Sequence, residues 1–252
     1  MFNNFEELVS NVANRIKQKK VLVTDLDEVL VDSTALWKGV ILRRSGHLTL
    51  VPPAVTNEEF ISTVRNRKIF DLTGHLNKEL GFDFSESYVM GLYMNHEDFY
   101  EHLDVTEKMG ASVSLVCNRQ KELNFEVHIL SHYPDIEGNE HILKSKERFV
   151  KRFFKDAVLH QIPKSVSKAQ YISDNISEYT TFIDDRMDIM RDVLANTDSY
   201  GKEFLMPKLG YNVPDDDLKA LISEKDAMFY LYNPGHHPSS NEGENDDTQN
   251  RA

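Results

Sequence analysis

Val21-Leu22-Val23-Thr24-Asp25-Leu26-Asp27 is a short apolar run that ends abruptly in two carboxylates one residue apart. Rich in β-branched residues and entered from Lys19 and Lys20, it reads as a buried strand of a parallel sheet. Side chains alternate along such a strand, but the chain leaves it at Asp25, so both carboxylates can turn into one crevice at its carboxyl end. Two acids so close repel unless something neutralises them. A divalent cation with oxygen ligands does so, and Mg²⁺ in particular is held by one or two carboxylates plus substrate phosphate. The bland alternative is a pair of turn or capping aspartates. A calcium loop fails, because Leu30 stands at its sixth position, where the turn wants glycine, and Leu36 at its twelfth, where a bidentate Glu is expected.

Outward from this strand the chain alternates. Phe5, Leu8, Val12 and Ile16 recur at helical spacing and predict an amphipathic helix over residues 4 to 18, packed on the core. Residues 34 to 104 hold aromatic residues, Asn, His and acids but few convincing strands, and read as a mainly helical insertion. Beyond it come a helix near 106 to 122, a strand over 126 to 130 and a helix near 140 to 155. A strand over 158 to 162, a helix near 167 to 175 and a strand over 179 to 183 continue the alternation. Weaker strands at 204 to 206 and 228 to 232 would complete it. This is the pattern of βαβ units on a parallel sheet, an α/β fold with a Rossmann-like core. The expected division is a core of residues 1 to 33 and 105 to 232, a helical cap of 34 to 104, and a polar acidic tail of 233 to 252 without apolar period.

Composition narrows the classes. The 252 residues suffice for one substantial core plus a smaller module, and 40% hydrophobic with 28% charged residues is the balance of a globular protein. No apolar run approaches the roughly 20 residues that cross a bilayer, and the N-terminus lacks the basic-then-apolar pattern of a signal peptide. The single cysteine, Cys117, cannot form an internal disulfide, so a cytoplasmic setting is expected. A formal charge of −12 argues against binding long nucleic acid through its backbone, yet allows a local basic pocket for one phosphate.

A second acidic strand end follows the pattern of the first: Thr181-Phe182-Ile183-Asp184-Asp185-Arg186, with Asp188 further along. Acids from two strand ends facing one crevice of reduced dielectric call for a cation. Asp188 reads equally well as an acid in a helix's first turn, where the macrodipole favours it. Between the two clusters the strand Val127-His128-Ile129-Leu130 runs into Ser131-His132-Tyr133-Pro134. The Ser131 hydroxyl, backed by free N–H groups of a turn, suits a phosphoryl oxygen; the neighbouring His132 needs no role if Asp27 serves as acid and base. Downstream, Lys168 follows a Ser cap, where a cation is otherwise unfavourable, and Lys164 is the other lysine able to reach the same edge.

In this order the four elements resemble the haloacid dehalogenase-like phosphohydrolase superfamily, with Asp25-x-Asp27, Ser131, Lys168 and Asp184-Asp185 as its motifs and residues 34 to 104 as its cap. Thr-Asp-Leu-Asp-Glu-Val-Leu-Val-Asp, Leu-Ser-His-Tyr-Pro and Ile-Asp-Asp-Arg further resemble the 5'(3')-deoxyribonucleotidase and phage or bacterial 5'-nucleotidase group. Glu28 departs from that group, which normally has Gly there, and the base-binding aromatic residues of the cap do not align position by position.

The resemblance implies a Mg²⁺-dependent phosphate monoester hydrolase. Asp25 would be the nucleophile that forms an aspartyl-phosphate, and Asp27 the acid and base. Mg²⁺ would be held by Asp25, the Asp27 backbone carbonyl and Asp185, with Asp184 orienting metal-bound water or Lys168, and with Ser131 and Lys168 on the phosphate. The implied substrate is a small phosphate ester, first a nucleoside monophosphate. Trp37, Phe70, Tyr88, Tyr93, Phe99, Tyr100, Arg65, Arg67 and Lys68 are available to the leaving group, although most such residues belong to a cap's core or surface. The rivals are a phosphatase of another metabolite, such as a sugar phosphate, and a non-catalytic binding protein on the same scaffold. A homodimer is compatible with the sequence and not specified by it.

Overall fold

The structure, a computed structural model, describes residues 19–33, 67–68, 71–81, 83–95, 98–176, 178–207, 209 and 211–224. The helix expected at 4 to 18, the strand expected at 228 to 232 and the acidic tail lie outside the described residues.

In chain order the elements are β1 (Lys20–Thr24), α1 (Leu72–Leu80), α2 (Glu86–Met94), a 3₁₀ turn (Phe99–His102), α3 (Met109–Asn118), α4 (Gln120–Leu123) and β2 (Phe125–Tyr133). Then follow α5 (Glu140–Phe153), β3 (Val158–Pro163), α6 (Lys168–Asn175), β4 (Thr181–Ile183), α7 (Met187–Asn196), β5 (Glu203–Met206), α8 (Asp216–Lys219) and the two-residue β6 (Ser223–Glu224). Between β1 and β2 the described residues form helices, turns and the isolated bridges Asp27–Val31 and Val31–Val105.

All paired strands are parallel, in the order β3-β2-β1-β4-β5-β6. This is the doubly wound order of a Rossmann-like fold, whose crevice lies outside the carboxyl ends of the strands where the winding reverses, next to β1. The continuous apolar character of β1 has a direct cause in this position. Leu22 packs with Val113, Val127, Ile142 and Phe149 on one face, while Val21 and Val23 pack with Ile172, Phe182 and Met190 on the other. A strand covered on both faces has no side for polar residues.

Several elements differ from expectation, and the helix expected near 106 to 122 is the pair α3 and α4, broken at Arg119. β2 continues to Tyr133, because its pairing with β3 extends from His128–Val158 to Tyr133–Pro163, whereas its pairing with β1 stops at Ile129. β4 begins at Thr181, two residues late: Thr180 bonds β1 with its hydroxyl as well as its backbone before the ladder starts. β6 was not anticipated, having too little sequence to carry a period. Among the described residues no helix is long and apolar enough to cross a membrane.

α5 positions the site as well as the core. Ile142, Ser145, Lys146, Phe149 and Val150 are its buried positions, one stripe at helical spacing. Each apolar side chain buried there contributes about 1.5–3 kcal/mol. Lys146 occupies the same stripe and is 2% exposed.

Candidate active site

The crevice is built from three strand ends. Asp25 is still paired to the sheet, its N–H donating to the Ile183 carbonyl at 2.8 Å, which fixes the spot where β1 and β4 deliver their acids together. Beyond it the chain makes one tight turn. The N–H groups of Leu30 and Val31 bond the Leu26 carbonyl, and the Glu28 N–H returns to Val31. Glu28 has φ +63°, a left-handed backbone that costs a residue with a Cβ about 1–2 kcal/mol and glycine almost nothing. A glycine would take that backbone without strain; here a Glu takes it, with Ser33 Oγ donating to its carboxylate at 2.8 Å.

Asp25, Asp184 and Asp185 each offer an oxygen within 4.8 Å of the others, and all three are buried. Lys168, at the first position of α6 behind the Ser167 cap, lies 2.7 Å from Asp25 Oδ1 and 2.7 Å from Asp184 Oδ2. The cost of a cation at a helix start is offset by two carboxylates, and although burial opposes the charged form, Asp184 and Asp25 raise the Lys168 pKa. The other oxygen of Asp184 accepts the Arg186 N–H at 2.9 Å, so this residue orients Lys168. Tyr211 donates its hydroxyl to Asp185 Oδ2 at 2.6 Å, and Asn212 donates to the Asp185 carbonyl at 3.1 Å.

One lysine does not balance three buried acids. Burial pushes the Asp25 carboxyl up and Lys168 opposes it, but Asp184 and Asp27 add to the rise, and the net shift is upward. Asp185 is raised well above the usual carboxylate range by burial, then by Asp184 and Asp25. A site that holds its acids toward protonation and presents hard oxygen donors fits a divalent cation such as Mg²⁺. The carboxylates that meet are Asp25, Asp184 and Asp185; the Asp27 carboxylate stands apart, and its expected part as a ligand is through its backbone carbonyl.

Asp27 has its own partners. Lys146 Nζ reaches it at 2.8 Å, Tyr100 donates its hydroxyl to Oδ1 at 2.5 Å, and Ser131 Oγ lies 3.3 Å from Oδ2. Lys146 also bonds Ser131 Oγ at 2.7 Å and the His132 carbonyl at 2.9 Å. Burial alone would push Asp27 up, but Lys146, Tyr100 and Ser131 outweigh it and the carboxyl is held below its ordinary value. In the metal-free protein two aspartates two residues apart are thus driven in opposite directions.

Among similar solved structures is a haloacid dehalogenase-like hydrolase from Burkholderia xenovorans, 13% identical over 83% of this chain and 94% of its own, with TM-score 0.43. A HAD family hydrolase from Deinococcus radiodurans with bound phosphate and sodium is 11% identical over 81% and 88%, with TM-score 0.46. A HAD-superfamily hydrolase of subfamily IA from Geobacter sulfurreducens is 12% identical over 78% and 95%, with TM-score 0.42. Many of the similar structures are hydrolases of this superfamily. No protein-family model matches the chain. No curated protein matches it either.

Of the residues expected from sequence, Asp25, Asp27, Ser131, Lys168, Asp184 and Asp185 all meet in this crevice. Ser131 does so from inside β2 rather than from a turn, two residues past the last pair with β1 and opposite the loop that carries Asp27. Lys164 is exposed in the turn after β3, whereas Lys168 reaches Asp25 and Asp184. Asp188 lies outside it: Arg186 Nε donates to its carboxylate at 3.0 Å in the first turn of α7. His132 Nε2 lies 2.9 Å from the Val166 carbonyl, tying β2 to the β3–α6 turn, and burial lowers its pKa. Phe99 and Tyr100 face inward as expected, at 1% exposure each, whereas Trp37, Arg65 and Phe70 lie outside the described residues.

Sequence reading did not bring Lys146, Tyr211 and Asn212 to the site, and it took Tyr100 for the leaving group or the cap interior rather than for Asp27. Lys146 carried a signal: a lysine four residues after Ile142 and three before Phe149 stands on the apolar stripe of its helix, where a charge needs a partner. The other three have no comparable pattern around them.

Proposed function

We propose that this chain is a Mg²⁺-dependent phosphate monoester hydrolase of the haloacid dehalogenase type, acting through an aspartyl-phosphate, with nucleoside monophosphates as its first candidate substrates. The observation that carries the reading is the separation of two neighbouring aspartates, Asp25 beside Lys168 and the acidic cluster, Asp27 beside Lys146 and Tyr100. Mg²⁺, held by Asp25, Asp185 and the Asp27 carbonyl, would reduce repulsion between an anionic nucleophile and an anionic phosphate.

In this reading an Asp25 oxygen attacks phosphorus, the bond to the leaving oxygen breaks, and the leaving alcohol takes a proton from Asp27. Water then attacks the aspartyl-phosphate. Asp27 accepts the proton of that water, and the Asp25 carboxylate is released with inorganic phosphate. Lys168 and Ser131 would hold equatorial phosphoryl oxygens, and Asp184 keeps Lys168 in place. An entering phosphate competes with Asp27 for Ser131 and Lys146, and so raises the proton affinity of Asp27 when the leaving group needs a proton. The division into a core of residues 1 to 33 and 105 to 232 and a cap of 34 to 104 belongs to the same proposal.

The nucleotide preference rests on the resemblance of the runs around Asp25, Ser131 and Asp184 to nucleotidases. The test is phosphate release, with and without Mg²⁺, from deoxynucleoside and ribonucleoside monophosphates, sugar phosphates and an aryl phosphate, with Asp25→Asn as control. Release from nucleotides that vanishes in the variant supports the whole reading. Release confined to other esters keeps the chemistry and rejects the substrate, and no release from folded, metal-loaded protein rejects both.

A further inference from the structure

Arg67 is 4% exposed, and its Nε meets no hydrogen-bond acceptor. Among the described residues its one partner is an aromatic face: the guanidinium carbon lies 4.3 Å from the centre of the Tyr211 ring. A guanidinium carries five donors in a rigid fork suited to carboxylate or phosphate, and burying even one of them unpaired is costly. A cation–π contact attracts the charge but does not satisfy the buried Nε–H.

The position of this cation matters more than its burial. Tyr211, on which it stacks, donates to Asp185, one of the three clustered acids. Arg67 therefore stands one aromatic ring away from the reacting end of the crevice, on a segment between β1 and α1, the part of the chain expected to meet the leaving group. Lys146 and Lys168 are both engaged with carboxylates at that end, which leaves Arg67 as the buried cation without an anion among the described residues.

We propose that Arg67 is a specificity residue that binds a second anionic group on the substrate, so that the preferred ester carries a carboxylate or a second phosphate a few bonds from the phosphoryl group being transferred. The inference rests on the phosphohydrolase reading and narrows it. Within the nucleotide class it selects nucleosides bearing two separate phosphates over plain monophosphates, and Tyr211 serves as the platform on which the guanidinium carbon rests.

The test compares esters in pairs that differ only by the second anion: glycerol 1-phosphate against 3-phosphoglycerate, and a deoxynucleoside 5'-monophosphate against its 3',5'-bisphosphate. The first pair reports a carboxylate and the second a phosphate. Wild-type kcat/KM should favour the doubly anionic member of at least one pair by about tenfold or more, mainly through KM, about 1.4 kcal/mol. Arg67→Met should bring that ratio close to one, and Arg67→Lys should restore part of it. No preference in the wild type, or a ratio unchanged in Arg67→Met, overturns the proposal without touching the phosphatase reading. Binding of the same pairs to Asp25→Asn by calorimetry separates the two claims. A preference in Kd with no turnover by wild type keeps the subsite and rejects the phosphatase, whereas equal Kd values reject the subsite.

Discussion

Replacing Lys146 by Met tests the account of Asp27 most directly. The side chain is 2% exposed and makes three hydrogen bonds, to Asp27 Oδ2, Ser131 Oγ and the His132 carbonyl. Met fills the volume of the stem, so the change removes charge and donors more than packing. Removing one partner of a buried ion pair typically costs about 3–5 kcal/mol, because the other charge is left without compensation. The Asp27 side chain is 30% exposed and retains Tyr100, which places the expected loss at the lower end, about 3 kcal/mol at pH 7. The pH dependence follows from the direction of the shift. Asp27 is held below its ordinary value in the folded protein, so its contribution is present above the unfolded pKa of about 4 and is lost as pH falls through the folded value. In the variant, burial is no longer outweighed by Lys146, the carboxyl moves up, and Asp27 then opposes folding as pH rises. The gap between wild type and variant is therefore widest near neutrality and narrows as pH falls toward and through the folded value of Asp27, below about 4. Urea unfolding of both proteins without metal, from pH 3 to 8, measures it. A loss under about 1 kcal/mol at pH 7, or a gap that is flat with pH, would refute the reasoning.

Other perturbations probe separate parts of the site. Asp25→Asn should abolish phosphate release and raise the melting temperature of the metal-free protein, since it removes a buried charge beside Asp184; a lower melting temperature counts against the repulsion described. The stabilisation by millimolar Mg²⁺ should be larger at pH 7.5 than at pH 5.5. The raised carboxyls of Asp25 and Asp185 favour the metal-free fold at low pH, where they are protonated, and this contribution is lost as pH rises through their folded values. An equal shift in melting temperature at both pH values would argue that the cation binds elsewhere. Gly110→Ala should destabilise by about 1–3 kcal/mol, because a Cβ there would stand 2.3 Å from the Leu30 carbonyl in the loop that carries Asp27; calorimetry showing no loss would mean that α3 can retreat from this loop. Glu28→Gly should leave stability unchanged or raise it by up to about 1 kcal/mol by relieving the left-handed backbone, and a clear loss in denaturation would place the Glu28 contacts above its strain.

The sequence by itself determined the parallel sheet and the acids at its edge. An uninterrupted apolar run such as Val21 to Val23 belongs where both faces of a strand are covered, and an abrupt change to Asp25 and Asp27, repeated at Asp184 and Asp185, marks where strands leave the core. These are local signals, written in neighbouring residues. Which side of that edge each acid would face was not local. Asp184 joins the cluster and steadies Lys168, Asp188 turns outward to Arg186, and Asp27 is drawn from the other acids by Lys146, 119 residues away in the chain. Lys146 reaches Asp27 because parallel pairing of β1 with β2 brings α5 over the end of β1, and Tyr211 meets Asp185 because β5 lies beside β4. The sequence supplied the charges; their pairing, and with it the opposite tuning of Asp25 and Asp27, was decided by contacts that arise only when distant segments share one sheet edge.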